Sequence, residues 1–116
     1  MGITFVHGTA SNDDRAVELD FLVDSGAQYT LIPEPAWKAL GLQPKRTQTF
    51  SLADGSTVER GISECFIRLA EGDGHSTVIL GESDDEPLLG AVTLESFGLI
   101  LDPFKRRLHP MSKLRL

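Results

Sequence analysis

The chain has a single cysteine, Cys65, and so can close no disulfide within itself. That usage suits a reducing compartment, and the cytoplasm is the expected location. Cys65 lies in an apolar run, where a thiol is expected to be buried and inert. Basic residues are also scarce: 11 Lys and Arg against 17 Asp and Glu leave a formal net charge of -6. This balance argues against nucleic acid as a partner, because phosphate contacts need clustered cations. The one basic concentration, Lys105, Arg106, Arg107, Lys113 and Arg115, reads as a solvated tail. No window is apolar enough to span a bilayer, and the start lacks the basic flank and apolar core of a secretory signal, so no membrane partner is expected. Ser112-Lys113-Leu114 is spelled like a peroxisomal address, but Arg115 and Leu116 follow it. The three histidines, His7, His75 and His109, fall in separate segments, and no Cys-x-x-Cys or His-Glu-x-x-His spacing occurs. No metal or organic cofactor is expected.

What remains is a chain of 116 residues, read as one domain over 1–116 with a single core. Most of it reads as strand. Ile3 to Val6 is a short strand, and Gly8 to Asp14 a polar loop. From Ala16 to Val23 apolar and polar residues alternate, with Val17, Leu19, Phe21 and Val23 on one face. Gln28 to Ile32 continues as strand. Pro33 and Pro35 then suit the start of a helix over Glu34 to Leu40, which Gly41 stops. Thr47 to Leu52 and Thr57 to Leu69 flank Ala53-Asp54-Gly55-Ser56, and Asp-Gly between such runs predicts a hairpin with both turn residues at positive φ. Glu71 to Gly74 is expected to turn the chain into a strand over Thr77 to Leu80, followed by an acidic loop, Gly81 to Glu86. Leu88-Leu89-Gly90 leads into a second short helix, Ala91 to Phe97, stopped by Gly98. Leu99 to Leu101 and Arg106 to His109 are the last strands, with a turn at Asp102-Pro103. An echo links the halves: apolar–Gly–Ala, a helix, then Gly-Leu, occurs after Val23 and again after Leu88.

The stretch with chemical content is Leu22-Val23-Asp24-Ser25-Gly26-Ala27. An apolar strand fixes the Asp24 carboxylate in space. Gly26 permits a tight turn and close approach of another backbone, and its N–H can reach the carboxylate. Ser25 is small enough to hydrogen-bond across a symmetry axis. If two such turns meet on a two-fold axis, two carboxyls share one site, cannot both ionise readily, and hold one proton between them. One is then a general base for water, and the other donates to a substrate carbonyl. A chain with one Asp-Ser-Gly needs a second copy for this, most simply a two-fold homodimer. Taken alone, Asp-Ser-Gly is an ordinary turn; the preceding strand, the Asp54-Gly55 hairpin and the Leu88-Leu89-Gly90 segment give it context.

With those residues in view, the chain resembles the retropepsin-type aspartic proteases, the small dimeric class that includes retroviral proteases. It is most similar to the single-domain versions found in bacteria and archaea. The resemblance rests on Leu22 to Ala27, Leu52-Ala53-Asp54-Gly55-Ser56, and Pro87-Leu88-Leu89-Gly90 through Phe97-Gly98-Leu99. It implies an all-β, barrel-like acid protease fold with one or two short helices and half an active site per chain. It implies an aspartic endopeptidase acting on extended peptides, with Asp24 catalytic and Ser25, Gly26 and Ala27 as its loop. Ala53, Asp54, Gly55 and Ser56 would form the flap over substrate, and Leu88, Leu89 and Gly90 would support the loop from behind. The sequence departs from the retroviral pattern in having one glycine at the hairpin tip and a longer tail through Asp102-Pro103.

Other readings carry less. Ser25 as a nucleophile with His7 or His109 lacks a nucleophile-elbow pattern. Glu82, Asp84, Asp85 and Glu86 read as a solvated loop rather than a cation site. Trp37 is expected in or beside the core. The rival functional class is a catalytically silent dimerisation or peptide-binding module on the same fold.

Overall fold

A computed structural model describes residues 3–24 and 26–112. Strands β1 (Phe5–Asn12) and β2 (Arg15–Val23) form an antiparallel hairpin, turning through Asp13 at φ 55°. The loop expected over Gly8–Asp14 is therefore corrected: all but its last two residues are strand. The polar letters mislead there because β1 is paired on both edges, to β2 along its length and to β5 (Thr57–Leu69) over Gly8–Ser11. Gly8 is needed at that contact, since a Cβ would meet the Leu69 side chain at 2.6 Å.

After β2 come β3 (Thr30–Ile32), helix α1 (Glu34–Ala39) and β4 (Arg46–Ser51). Beyond β5 lie β6 (Asp73–Leu80), β7 (Leu88–Leu89), α2 (Ala91–Ser96), β8 (Leu99–Asp102) and β9 (Arg107–Pro110). One sheet has seven strands in the order β1-β2-β7-β3-β6-β5-β4, and the β1–β5 pairing closes it into a barrel. β8 and β9 make a separate two-stranded sheet. The expected architecture, all-β with two short helices, is the one found. The echoed segments lie side by side: Leu22-Val23 and Leu88-Leu89 pair in parallel.

Phe21, Ile32, Leu40, Ile67, Val78 and Leu89 fill the barrel and are fully buried. α1 starts at Pro33, carries Pro35 in its first turn, and ends where Gly41 takes φ 71°. Bonds from Gly41 N to Lys38 O and from Leu42 N to Trp37 O form the paired stop that a left-handed glycine permits. Trp37 packs against the core, and its Nε1 donates to Gly81 O at 2.8 Å, as expected of a core-edge indole. Cys65 is buried, and burial pushes its thiol up to about 12, so it is inert as expected.

β6 begins at Asp73 rather than Thr77, which corrects the expected turn over Glu71–Gly74. Gly74 is a strand residue whose missing Cβ makes room for the Phe97 ring, 2.9 Å from where that atom would sit. The acidic loop is tied down rather than merely solvated: Asp85 Oδ2 accepts from Glu82 N at 2.6 Å, and Arg60 pairs with Glu82 at 2.6 Å.

On the outer face of the first hairpin, His7 lies between two carboxylates, with Nδ1 2.8 Å from Asp20 and Nε2 2.9 Å from Glu18. Only the imidazolium donates from both nitrogens. Asp20 first, then Glu18, raises the His7 pKa above its ordinary 6.5. The stabilisation is fully present below the unfolded value and is lost as pH rises through the raised folded value. Thermal melts of His7→Gln should therefore fall below the parent at about pH 5.5 and coincide with it at about pH 8.5, on either side of the ordinary histidine range.

Candidate active site

β2 delivers Asp24 to a backbone held from both sides. Val23 N donates to Thr4 O at 2.9 Å, and Asp24 N to Leu89 O at 3.1 Å. The carboxylate is oriented by its own turn: Gly26 N donates to Asp24 Oδ1 at 2.9 Å, and Ala27 N to Asp24 O at 3.0 Å. Asp24 and Gly26 are exposed and Ala27 is half-buried. Ser25 lies outside the described residues.

The loop is clamped from behind by the start of α2. Ala91 N donates to Ala27 O and Val92 N to Gln28 O, each at 2.9 Å. Gly90 permits this approach: a Cβ there would sit 2.4 Å from Tyr29 C and 2.5 Å from Tyr29 O. Those are backbone atoms with no freedom to move aside. Leu89 is fully buried and Leu88 half-buried beside the loop.

Sequence reasoning missed a buried hydroxyl relay below this clamp. Gly90 N donates to Thr30 Oγ1 at 3.0 Å, Thr30 Oγ1 lies 2.6 Å from Thr93 Oγ1, and Thr93 Oγ1 lies 2.7 Å from Ser76 Oγ. Ser76 Oγ in turn donates to Thr77 O at 3.0 Å. One direction satisfies the whole series: each hydroxyl accepts from the group before it and donates to the group after it. Thr30 and Thr93 are fully buried. The signal available was a polar β-branched residue at the head of one apolar stretch, Thr30-Leu31-Ile32, and within another, Val92-Thr93-Leu94.

Ala53, Asp54, Gly55 and Ser56 form the exposed tip of the β4–β5 hairpin. Only Gly55 takes positive φ, at 88°, which corrects the expectation for Asp54. Gly55 N bonds Leu52 O at 3.0 Å and Leu52 N bonds Ser56 O at 2.8 Å, so the tip is a wider turn closed by a left-handed glycine. Asp54 Oδ1 accepts from Ser56 Oγ at 2.5 Å and from Ser56 N at 2.9 Å, and these bonds lower its pKa. The tip's bonds are thus local. The hairpin reaches the Asp24 loop lower down, where Phe50 meets Tyr29 edge-on at 6.4 Å. Between them runs a crevice of about 190 Å³, lined by Ala27, Tyr29, Phe50 and Leu88 among others. On the other side of the loop Asp24 borders a wider apolar cleft of about 590 Å³, formed with Ile3, Leu22, Leu94, Leu99 and Ile100.

The family model described as "gag-polyprotein putative aspartyl protease" matches residues 12–96. The chain belongs to that family. Its fold is that of a retropepsin-like protease: the solution structure of simian foamy virus (mac) protease superposes with a TM-score of 0.60 at 16% identity, covering 79% of this chain and 92% of that one. Comparison with curated protein sequences gives no match. Family membership makes the chain an aspartic endopeptidase.

In this protease His7 and His109 are engaged elsewhere. His7 is held by Asp20 and Glu18, and His109 Nδ1 lies 3.1 Å from Pro110 O. No group of three or more His, Cys, Asp or Glu among the described residues could hold a metal ion. No helix among them is long and apolar enough to cross a membrane.

The clamp predicts which substitutions are costly. Gly90→Ala, forced against the Tyr29 backbone, should lose about 1–3 kcal/mol or more in denaturant unfolding. Thr93→Val keeps the shape but breaks the relay between Thr30 and Ser76, and should lose about 1–3 kcal/mol in the same assay.

Proposed function

We propose that the protease works as a homodimer in which the two Asp24 side chains face one another and activate a water between them. One carboxylate takes the proton of the water, and the protonated partner donates to the carbonyl of the scissile bond and stabilises the tetrahedral intermediate. The observation that carries this is the setting of Asp24: one exposed carboxylate per chain on a loop whose backbone is pinned at Val23, Asp24, Ala27 and Gln28. A rigid mount suits a reaction that depends on the placement of two groups. Ser25 fits the role of the interchain hydrogen bond beneath the acids.

The substrate in this reading is an extended peptide lying along the Asp24 loop, with Ala53, Asp54, Gly55 and Ser56 as a flap that closes over it and excludes water. The Phe50–Tyr29 contact makes the base of that flap continuous with the loop. Cleavage needs no metal or organic cofactor. A reducing compartment such as the cytoplasm suits the single thiol.

The test is cleavage of a peptide library by the wild type and by Asp24→Asn, with and without pepstatin. Loss of a general acid–base group predicts a fall in kcat of about 10³-fold, with the dimer retained. Equal behaviour of the two proteins would leave a binding module, not a catalytic pair, as the function of this site.

A further inference from the structure

The tip of the β8–β9 hairpin carries Phe104 at 92% exposure, the most exposed of the large apolar side chains on the described surface. It is not a loose end. Asp102 Oδ1 accepts from Phe104 N at 3.0 Å and from Lys105 N at 3.1 Å, and Arg106 completes the turn at φ 52°. Those backbone bonds, that of Lys105 foremost, hold the Asp102 carboxyl below the usual range, so it stays an acceptor. The turn thus presents an aromatic knob in a fixed place. Pro103, its neighbour, lines the apolar cleft beside Asp24. Around that cleft Ile3 and Ile100 are also exposed, at 68% and 46%. An apolar hollow therefore lies next to an exposed apolar knob, and Asp24 borders the hollow.

Resting on the homodimer reading above, we propose that a second copy of this chain fills the cleft, and that Phe104 is the anchor it inserts. Three observations commit the cleft to that occupant. Asp24 is one of its lining residues, so any copy that brings its own Asp24 alongside must cover this surface. Knob and hollow adjoin on one chain, so a two-fold axis beside them gives each hollow the other copy's knob, as a self-complementary contact requires. Charge agrees: Lys105, Arg106 and Arg107 follow Phe104, and Glu95 lines the cleft that receives it. Aromatic side chains buried in a fitting pocket are the usual energetic centre of such interfaces.

In this arrangement the hairpin sets the activity of the protease through assembly. Phe104→Ser removes a solvent-exposed ring and leaves the fold intact, as circular dichroism should show. By sedimentation equilibrium its dimer should be about thirtyfold weaker than the wild type, the loss typical of a central anchor. Specific activity of the variant should fall on dilution and recover at high concentration with unchanged kcat. Glu95→Lys should weaken the dimer, and Lys105→Glu combined with it should restore part of the loss. Dimer constants that match the wild type for Phe104→Ser overturn the inference and leave the Asp24 pair standing. An unchanged dimer with a raised KM for apolar peptides also overturns it, by assigning the cleft to substrate. A wild type that cleaves peptides while monomeric at every concentration removes the homodimer reading itself.

Discussion

The close approach of the Gly90 backbone to Tyr29 is the constraint on which the site depends. Without it β7 and α2 could not lie against the Asp24 loop, and the bonds from Ala91 and Val92 to Ala27 and Gln28 would be out of reach. The contact leaves the Gly90 N–H in a buried place where water cannot reach it, and such a donor is costly unless paired. Thr30 supplies the acceptor, and its own hydroxyl then needs one in turn, which Thr93 and Ser76 provide. The relay is the consequence of packing two backbones that tightly. It ties β3, β6 and α2 to the same point behind the Asp24 loop.

Two regions of the site are held in different ways. The Asp24 loop is braced by backbone bonds to the N-terminal segment, to β7 and to α2. The hairpin tip, by contrast, is exposed and satisfied by its own short-range bonds. β5 connects the two regimes, pairing with β4 near the tip and with β6 and β1 in the barrel wall. In the reading proposed above, a peptide between loop and hairpin would meet one wall braced by the barrel and one held only by its own turn.

Much of this was legible in the residues. Asp24 followed a strand with a clean alternation, Asp54-Gly55 lay between two strand-like runs, and Gly41 and Gly98 ended both helices as their positions implied, at φ 71° and 67°. Local chemistry decides such features, so local sequence reports them. Gly8 and Gly74 were misread as turn residues because their reason lies elsewhere in the chain, in Leu69 and Phe97. The Thr30–Thr93–Ser76 relay was missed for the same reason, since its members meet only after the barrel closes. The apolar cleft joins the N-terminal segment, β2, α2 and β8, and no stretch of sequence contains it.

The state of Cys65 has a practical consequence. A thiol that is buried and held fully protonated through neutral pH is a poor target for electrophilic dyes. The surface is thus silent toward maleimide chemistry, and a cysteine engineered at the exposed hairpin tip would take a fluorophore or spin label alone. Distances across the proposed pair could then be read without first removing a native site.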